Sequence, residues 1–175
     1  GVVAELAREF KNLKVFSTLS PIPGFRSWLD KAIAEGQPNL LNTSERKELN
    51  FAMGRAGGAK GGLKEALVND DWCANEKLSN ALQRPLHRLA ALYLTTVKIK
   101  DNRVHDQVAH FHLSNGAIME RLNWMGDTSD KGIKQSAGMM INYLYNLDRI
   151  EDNHEAYSGL RQVKTSSSIN NILKS

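Results

Sequence analysis

Val15-Phe16-Ser17-Thr18-Leu19-Ser20-Pro21-Ile22-Pro23-Gly24 is the stretch on which the fold turns. The β-branched and aromatic residues of 15–19 favour a short buried strand, because such side chains pack well on a pleated surface. Ser20-Pro21 ends it, since proline has no N–H to give a ladder and its ring fixes φ. Upstream, Val3, Leu6, Ala7, Phe10 and Leu13 recur at three- and four-residue spacing, the stripe of an amphipathic helix closed by Asn12-Leu13-Lys14. That helix has no cap, as if the chain were entered in the middle of a βα unit. Helix, short turn and strand make an αβ unit.

Downstream, Phe25, Trp28, Leu29, Ala32 and Ile33 form a second helical stripe, closed by Gly36 and Pro38. Asn42-Thr43-Ser44-Glu45 reads as a capping box opening a helix to about Met53, and Leu63 to Val68 as a short helix. The clearest helix follows Pro85, with Leu86, Leu89, Ala90, Tyr93, Leu94 and Val97 at helical spacing. Such a stripe suits a core or a subunit interface, and a homo-oligomer is expected. Val104 to Leu113 mixes helix and strand signals, and Ser114-Asn115-Gly116 is a turn. Ile118 to Trp124 alternates imperfectly, whereas Met139 to Leu147 is a good strand with Ile141, Tyr143 and Tyr145 on one face. Ser166 to Lys174 reads as a last short helix. Helices interspersed with a few short strands predict an α/β fold.

Composition narrows the function classes. The 175 residues, 41% hydrophobic, suit one domain, and no apolar run approaches the roughly 20 residues of a membrane-spanning helix. No basic start, apolar core and small-residue cleavage site follow one another, so no secretory signal is read. The single cysteine, Cys73, excludes an internal disulfide and a cysteine-based zinc site, and a reducing, cytoplasmic setting is expected. Lys plus Arg 23 against Asp plus Glu 19 gives a net charge of +4, scattered along the chain without a basic tract. Nucleic acid is therefore not an expected partner.

Few constellations could carry chemistry. Gly54-Arg-Ala-Gly-Gly-Ala-Lys-Gly-Gly62 fails as a phosphate loop: Ala59 stands where the second glycine is needed and no Ser or Thr follows Lys60. A flexible helix connection is the better account. His105, His110 and His112 lie close together, but no carboxylate motif accompanies them, and no metal is expected. On a strand His110 and His112 would share a face; on a helix they would not. Cys73, beside Trp72, reads as packing, because nothing nearby would lower its pKa. Ser20 differs in kind. It stands where a strand ends and a turn with two prolines begins, a position at which α/β folds build sites, although it could equally cap the next helix. His112, just before the Ser114-Asn115-Gly116 turn, is the histidine offered as its partner.

Four segments, taken together, resemble one family. Phe16-Ser-Thr-Leu-Ser-Pro-Ile-Pro-Gly-Phe25, Phe111-His-Leu-Ser-Asn-Gly-Ala117, Leu122-Asn-Trp-Met-Gly-Asp-Thr-Ser129 and Gly138-Met-Met-Ile-Asn-Tyr-Leu-Tyr145 are similar, in order, to the C-terminal catalytic part of malonyl-CoA decarboxylases. The resemblance runs from about Val2 to Tyr157 and is loose from about Asp30 to Glu76. It implies a carboxy-lyase that turns malonyl-CoA into acetyl-CoA and carbon dioxide without a cofactor, on a partial GNAT-like acyl-CoA-binding fold with several added helices. It also implies that residues 1–175 are the C-terminal portion of the catalytic domain, with the helical N-terminal domain and early strands absent. Ser20 then matches the family's proton acceptor and His112 its proton donor, with imidazolium as the donating species, while Tyr145 and Asn115 become contacts of the malonyl group. The loop that would hold the CoA pyrophosphate is not among these residues, so the isolated chain is expected to bind CoA weakly. A bacterial cytoplasmic setting is expected, since Leu173-Lys174-Ser175 is not the peroxisomal Ser-Lys-Leu. The competing functions are a GNAT-like acyl-CoA transferase and a non-catalytic CoA-binding module.

Overall fold

The computed structural model describes residues 4–5, 13–55 and 62–175. Most of the stripe expected over the first thirteen residues, and the centre of the glycine-rich run, lie outside them. Strands β1 (Val15–Pro21), β2 (Ile118–Asn123) and β3 (Met140–Asn146) form an antiparallel sheet in the order β1-β3-β2. The fold is therefore a mixed α/β one with a small antiparallel sheet.

Central β3 alternates as its sequence predicts, burying Ile141, Tyr143 and Tyr145 on one face. These stand opposite Ser20, Thr18 and Phe16 of β1. In β2 the imperfect alternation has a local cause. Met119 pairs with Tyr143 but Arg121 with Asn142, so Glu120 is an extra residue, and the bulge lets both Met119 and Leu122 turn inward. On the outer side of β2, the Met119 N–H donates to Lys164 O and the Ser166 N–H to Met119 O.

β1 departs from the buried strand expected. It runs through Ser20 to Pro21, and Val15 and Leu19 are 47% and 55% exposed. Among the described residues it is an edge strand, which explains why β-branched composition did not translate into burial and why Pro21 is tolerated in it.

Helix α1 (Phe25–Ala34) buries Phe25, Leu29 and Ala32. Helix α2 (Thr43–Ala52) opens on the predicted capping box: the Asn42 side chain accepts the Glu45 N–H at 2.7 Å, and the Glu45 carboxylate accepts the Asn42 N–H at 2.9 Å. Glu45 is fully buried, and the Arg88 guanidinium grips it through Nε at 3.1 Å and Nη2 at 2.6 Å. The short α3 (Gly62–Ala66) and α4 (Glu76–Thr96) follow. α4 does not begin after Pro85. The Asn75 side chain caps it by accepting the Leu78 N–H, and Pro85 sits buried inside it. One missing bond to the Ala81 carbonyl is offset by the apolar stripe, which already runs through Leu82.

Helices α5 (Gln107–Ser114), α6 (Asp130–Ser136), α7 (Ile150–Leu160) and α8 (Ser167–Lys174) complete the order. α5 resolves the mixed 104–113 signal as helix. The α4 stripe is core, since Leu86, Leu89, Ala90, Tyr93 and Leu94 join Phe25, Leu29, Ile141 and Tyr143 in one buried cluster. Among the described residues, no helix is long and apolar enough to cross a membrane.

Candidate active site

Ser20 is the buried residue of β1, on the face of the sheet that also carries Tyr143 and Tyr145. Beyond it the chain turns through Ile22, which is fully buried, into α1. Gly24 is required at this turn for lack of room: a Cβ there would lie 2.1 Å from the Tyr93 hydroxyl oxygen. The Gly24 N–H points at Asp106 Oδ2, 3.5 Å away, while Asp106 Oδ1 accepts the Ala109 N–H at 3.0 Å and so caps α5. One buried carboxylate thus joins the turn after Ser20 to the helix that carries His112.

That helix brings His112 Nε2 to 3.0 Å from Ser20 Oγ, although the two residues are 92 positions apart. On its other side, His112 Nδ1 lies 2.6 Å from Tyr145 Oη. Thr18 Oγ1 is 3.2 Å from Ser20 Oγ. The Tyr143 ring stacks under the imidazole, with centroids 4.3 Å apart and planes inclined by 20°, and Phe16 stacks on Tyr145 at 5.1 Å. The imidazole is held by two hydroxyls in its plane and one ring below it.

This enclosure sets the charge state. Burial pushes the His112 pKa down to about 4, because a charged imidazole loses solvation there, and pushes the Tyr145 phenol up to about 12. His112 is therefore neutral at neutral pH before any substrate is bound. A neutral ring donates from one nitrogen and accepts at the other. Either the Tyr145 O–H donates to Nδ1 and Nε2–H donates to Ser20, or Ser20 donates to Nε2 and Nδ1–H donates to Tyr145. Both arrangements place a movable proton between Nε2 and Ser20 Oγ.

Other sequence-derived residues go elsewhere. Asn115, exposed at the end of α5, donates its side-chain amide to Phe111 O at 2.8 Å and makes no hydrogen bond to the pair. His105 meets Tyr93 Oη and His110 meets Tyr157 Oη, each at 2.7 Å, so the three histidines of this segment turn to three different hydroxyl partners. Cys73 is exposed rather than packed, and its thiol donates to Asp70 O. Gly54, left-handed with φ of 71°, lies just past α2, and Gly62 begins α3, so the described ends of the glycine-rich run flank helices. Sequence reasoning missed Asp106 and Tyr143. An Asp just before an apolar helical pattern is a capping signal, and Tyr143 shares a strand face with Tyr145.

A mouse protein named malonyl-CoA decarboxylase, mitochondrial, is 42% identical over 96% of this chain and 35% of its own length; a goose (Anser anser anser) protein of the same name is 41% identical over 96% and 34%. The crystal structure of malonyl-CoA decarboxylase from Rhodopseudomonas palustris superposes with a TM-score of 0.80 at 37% identity, over 98% of this chain and 36% of that one; the structure from Agrobacterium vitis gives 0.78 at 38%, over 98% and 39%. The chain spans about a third of the length of the curated relatives it matches. Residues 1–175 match the family described as the malonyl-CoA decarboxylase C-terminal domain, and the chain belongs to that family.

Proposed function

We propose that this chain carries the proton-transfer pair of a malonyl-CoA decarboxylase, a carboxy-lyase that converts malonyl-CoA to acetyl-CoA and carbon dioxide. The observation that carries the proposal is the 3.0 Å contact between Ser20 Oγ and His112 Nε2, which unites two separate family motifs in one buried spot. In the reaction the bond between the carboxylate carbon and the α-carbon breaks, its electron pair enters the thioester enolate, and carbon dioxide leaves. The enolate oxygen needs hydrogen-bond donors as its charge grows, and the α-carbon then needs a proton. His112, neutral before substrate arrives, takes a proton as the malonyl carboxylate enters, since a neighbouring anion favours the charged ring. It then gives that proton to the α-carbon. Ser20 holds Nε2 in line, in keeping with its match to the family's proton acceptor. Tyr145 acts on Nδ1, and Asn115 contacts the malonyl group from the end of α5.

The GNAT-like reading of the fold belongs to the same proposal; mixed α/β construction with antiparallel strands supports it. The same proposal includes the placement of the chain in the C-terminal part of the catalytic domain, a weak grip on CoA when isolated, and assembly as a homo-oligomer. A cytoplasmic location is supported by the lone cysteine, while the goose and mouse relatives are named mitochondrial.

Release of labelled carbon dioxide from malonyl-CoA, with acetyl-CoA formed in equal amount, tests the function in this chain and in the longest natural protein that contains it. His112→Asn and Ser20→Ala are expected to lower the rate of the active form by about a hundredfold or more. Decarboxylation that survives His112→Asn with a loss below about tenfold would falsify proton donation by His112. Acetyl transfer without carbon dioxide release would identify a transferase, and CoA binding without turnover in any form a non-catalytic module.

A further inference from the structure

On α5 a step of two residues turns a side chain to the opposite side of the helix, so His110 faces away from His112. His110 Nδ1 meets Tyr157 Oη at 2.7 Å, and the same oxygen accepts the Val104 N–H at 3.1 Å. The guanidinium carbon of Arg161, just past the end of α7, lies 5.0 Å from the centre of the Tyr157 ring. Arg161 Nε donates to Asp101 O at 3.2 Å. Tyr157 is thus the buried hub of a basic surface, with Arg161 over its ring, His110 at its hydroxyl, and Arg103 next to the residue that donates to it. Lys98 pairs with Val104 across the base of the same loop and lies within electrostatic reach of Arg161.

Lys98, Arg103, His110 and Arg161 are all half-buried. None of the ion pairs among the described residues involves Lys98, Arg103 or Arg161. Two carboxylate residues of the adjoining segment are engaged otherwise: Asp106 is turned to Gly24 and Ala109, and Asp101 meets Arg161 through its backbone carbonyl. Arg103 Nε is buried and has no hydrogen-bond partner among the described residues. Gathering like charges on a partly desolvated surface is unfavourable, and a buried N–H without a partner adds to that cost. Both penalties are relieved by one anion. A carboxylate is satisfied by a single guanidinium fork, whereas two guanidiniums, an ammonium and an imidazole match a tetrahedral dianion with several acceptor oxygens.

We propose that the surface where Lys98, Arg103, His110 and Arg161 meet around Tyr157 is a binding site for a phosphate-class dianion, separate from the Ser20–His112 pair. Burial first, and then repulsion from Arg103 and Arg161 at His110 and from Arg161 at Lys98, hold both groups below their ordinary pKa values. A bound dianion reverses the repulsive part of this at His110, so binding is readable at one ring.

The test is a side-chain NMR titration of the histidines with inorganic phosphate at constant ionic strength, with chloride as the control. Saturable binding is expected, with the His110 titration midpoint moving upward and that of His112 unchanged. Arg161→Gln and Arg103→Gln are each expected to weaken phosphate by about tenfold, and Lys98→Gln, which leaves the Tyr157 stack intact, by a smaller factor. Repeating the titration with CoA and with dephospho-CoA separates two sources of the phosphoryl group. Competition by CoA but not dephospho-CoA assigns the site to a nucleotide phosphate, and absence of competition by either assigns it to free phosphate. A response to phosphate no larger than to chloride, or one that survives all three substitutions, overturns the proposal.

Discussion

The phenolic oxygen of Tyr145 lies 2.6 Å from Nδ1 of His112, on the side of the ring opposite Ser20. A buried neutral imidazole has no charge to orient it, so its tautomer and rotation follow from what each nitrogen meets. Tyr145 is pinned in turn by stacking on Phe16 and by its place on the central strand.

Tyr145→Phe keeps the stack and removes only the hydroxyl. The fold should survive, with an unchanged far-ultraviolet spectrum, while kcat for malonyl-CoA falls by about ten- to a hundredfold, as for other partners that orient a functional histidine. KM should move little. A drop in KM-level binding with kcat intact would show that Tyr145 serves the substrate directly and not the ring.

The depressed pKa of His112 ties stability to pH. In the folded protein the ring takes a proton only near pH 4, but in the unfolded chain it does so near its ordinary 6.5. Between those values the unfolded state binds more protons, so stability is full above about pH 6.5 and falls as pH drops toward 4, by at most about 3 kcal/mol from this residue. His87 and His110 are lowered as well and act in the same direction. Urea melts of the native chain and of His112→Gln at pH 7.5 and 5 should show a smaller acid loss in the variant. Equal losses would mean that His112 is solvated in the folded protein.

The sheet was legible where a strand is buried on one face. Ile141, Tyr143 and Tyr145 alternate inward because β3 is the central strand, and period-two burial survives into the structure. The Asn42–Glu45 box was legible because a cap is decided by neighbours within one turn. Elements whose state depends on distant partners were not. Val15 and Leu19 have strand composition whether their strand is central or at an edge. Pro85 looked like a helix start because its local penalty is visible, while the core contacts of Leu82 and Leu86 that outweigh it are not. Ser20 and His112 could be named from motifs, but the neutrality of the ring follows from its enclosure by Tyr143, Tyr145 and Ser20, which no linear pattern displays.

Tyr143 offers a separate test of the site's floor. Its ring is fully buried under His112, and its hydroxyl is buried without a hydrogen-bond partner among the described residues. An unpaired buried hydroxyl costs about 1–3 kcal/mol. Tyr143→Phe should therefore leave stability unchanged or raise it by about 1 kcal/mol, with the stack and turnover preserved, whereas Tyr143→Ala opens a cavity and should cost about 3–5 kcal/mol. Thermal unfolding of both variants checks this. A clear loss in Tyr143→Phe would reveal an ordered water or other partner on that oxygen.

Gly24 couples the turn after Ser20 to α4. A methyl group there would lie 2.1 Å from Tyr93 Oη and 3.3 Å from Cζ, and Tyr93 cannot retreat freely because its hydroxyl is bound to His105 Nδ1 at 2.7 Å and its ring packs against Phe25 and Trp28. Gly24→Ala must therefore push the turn, and with it the Asp106 contact and Ser20, so a loss of about 2 kcal/mol or more is expected. Tyr93→Phe alone gives up one hydrogen bond, worth about 1 kcal/mol. Combined, the two changes should be less harmful than their sum by about 1 kcal/mol, because the phenyl ring removes the oxygen that the new methyl strikes and leaves only the longer Cζ contact at 3.3 Å. Urea unfolding of the two single variants and the double variant measures the coupling, and strict additivity would mean that the turn yields away from Tyr93 without cost.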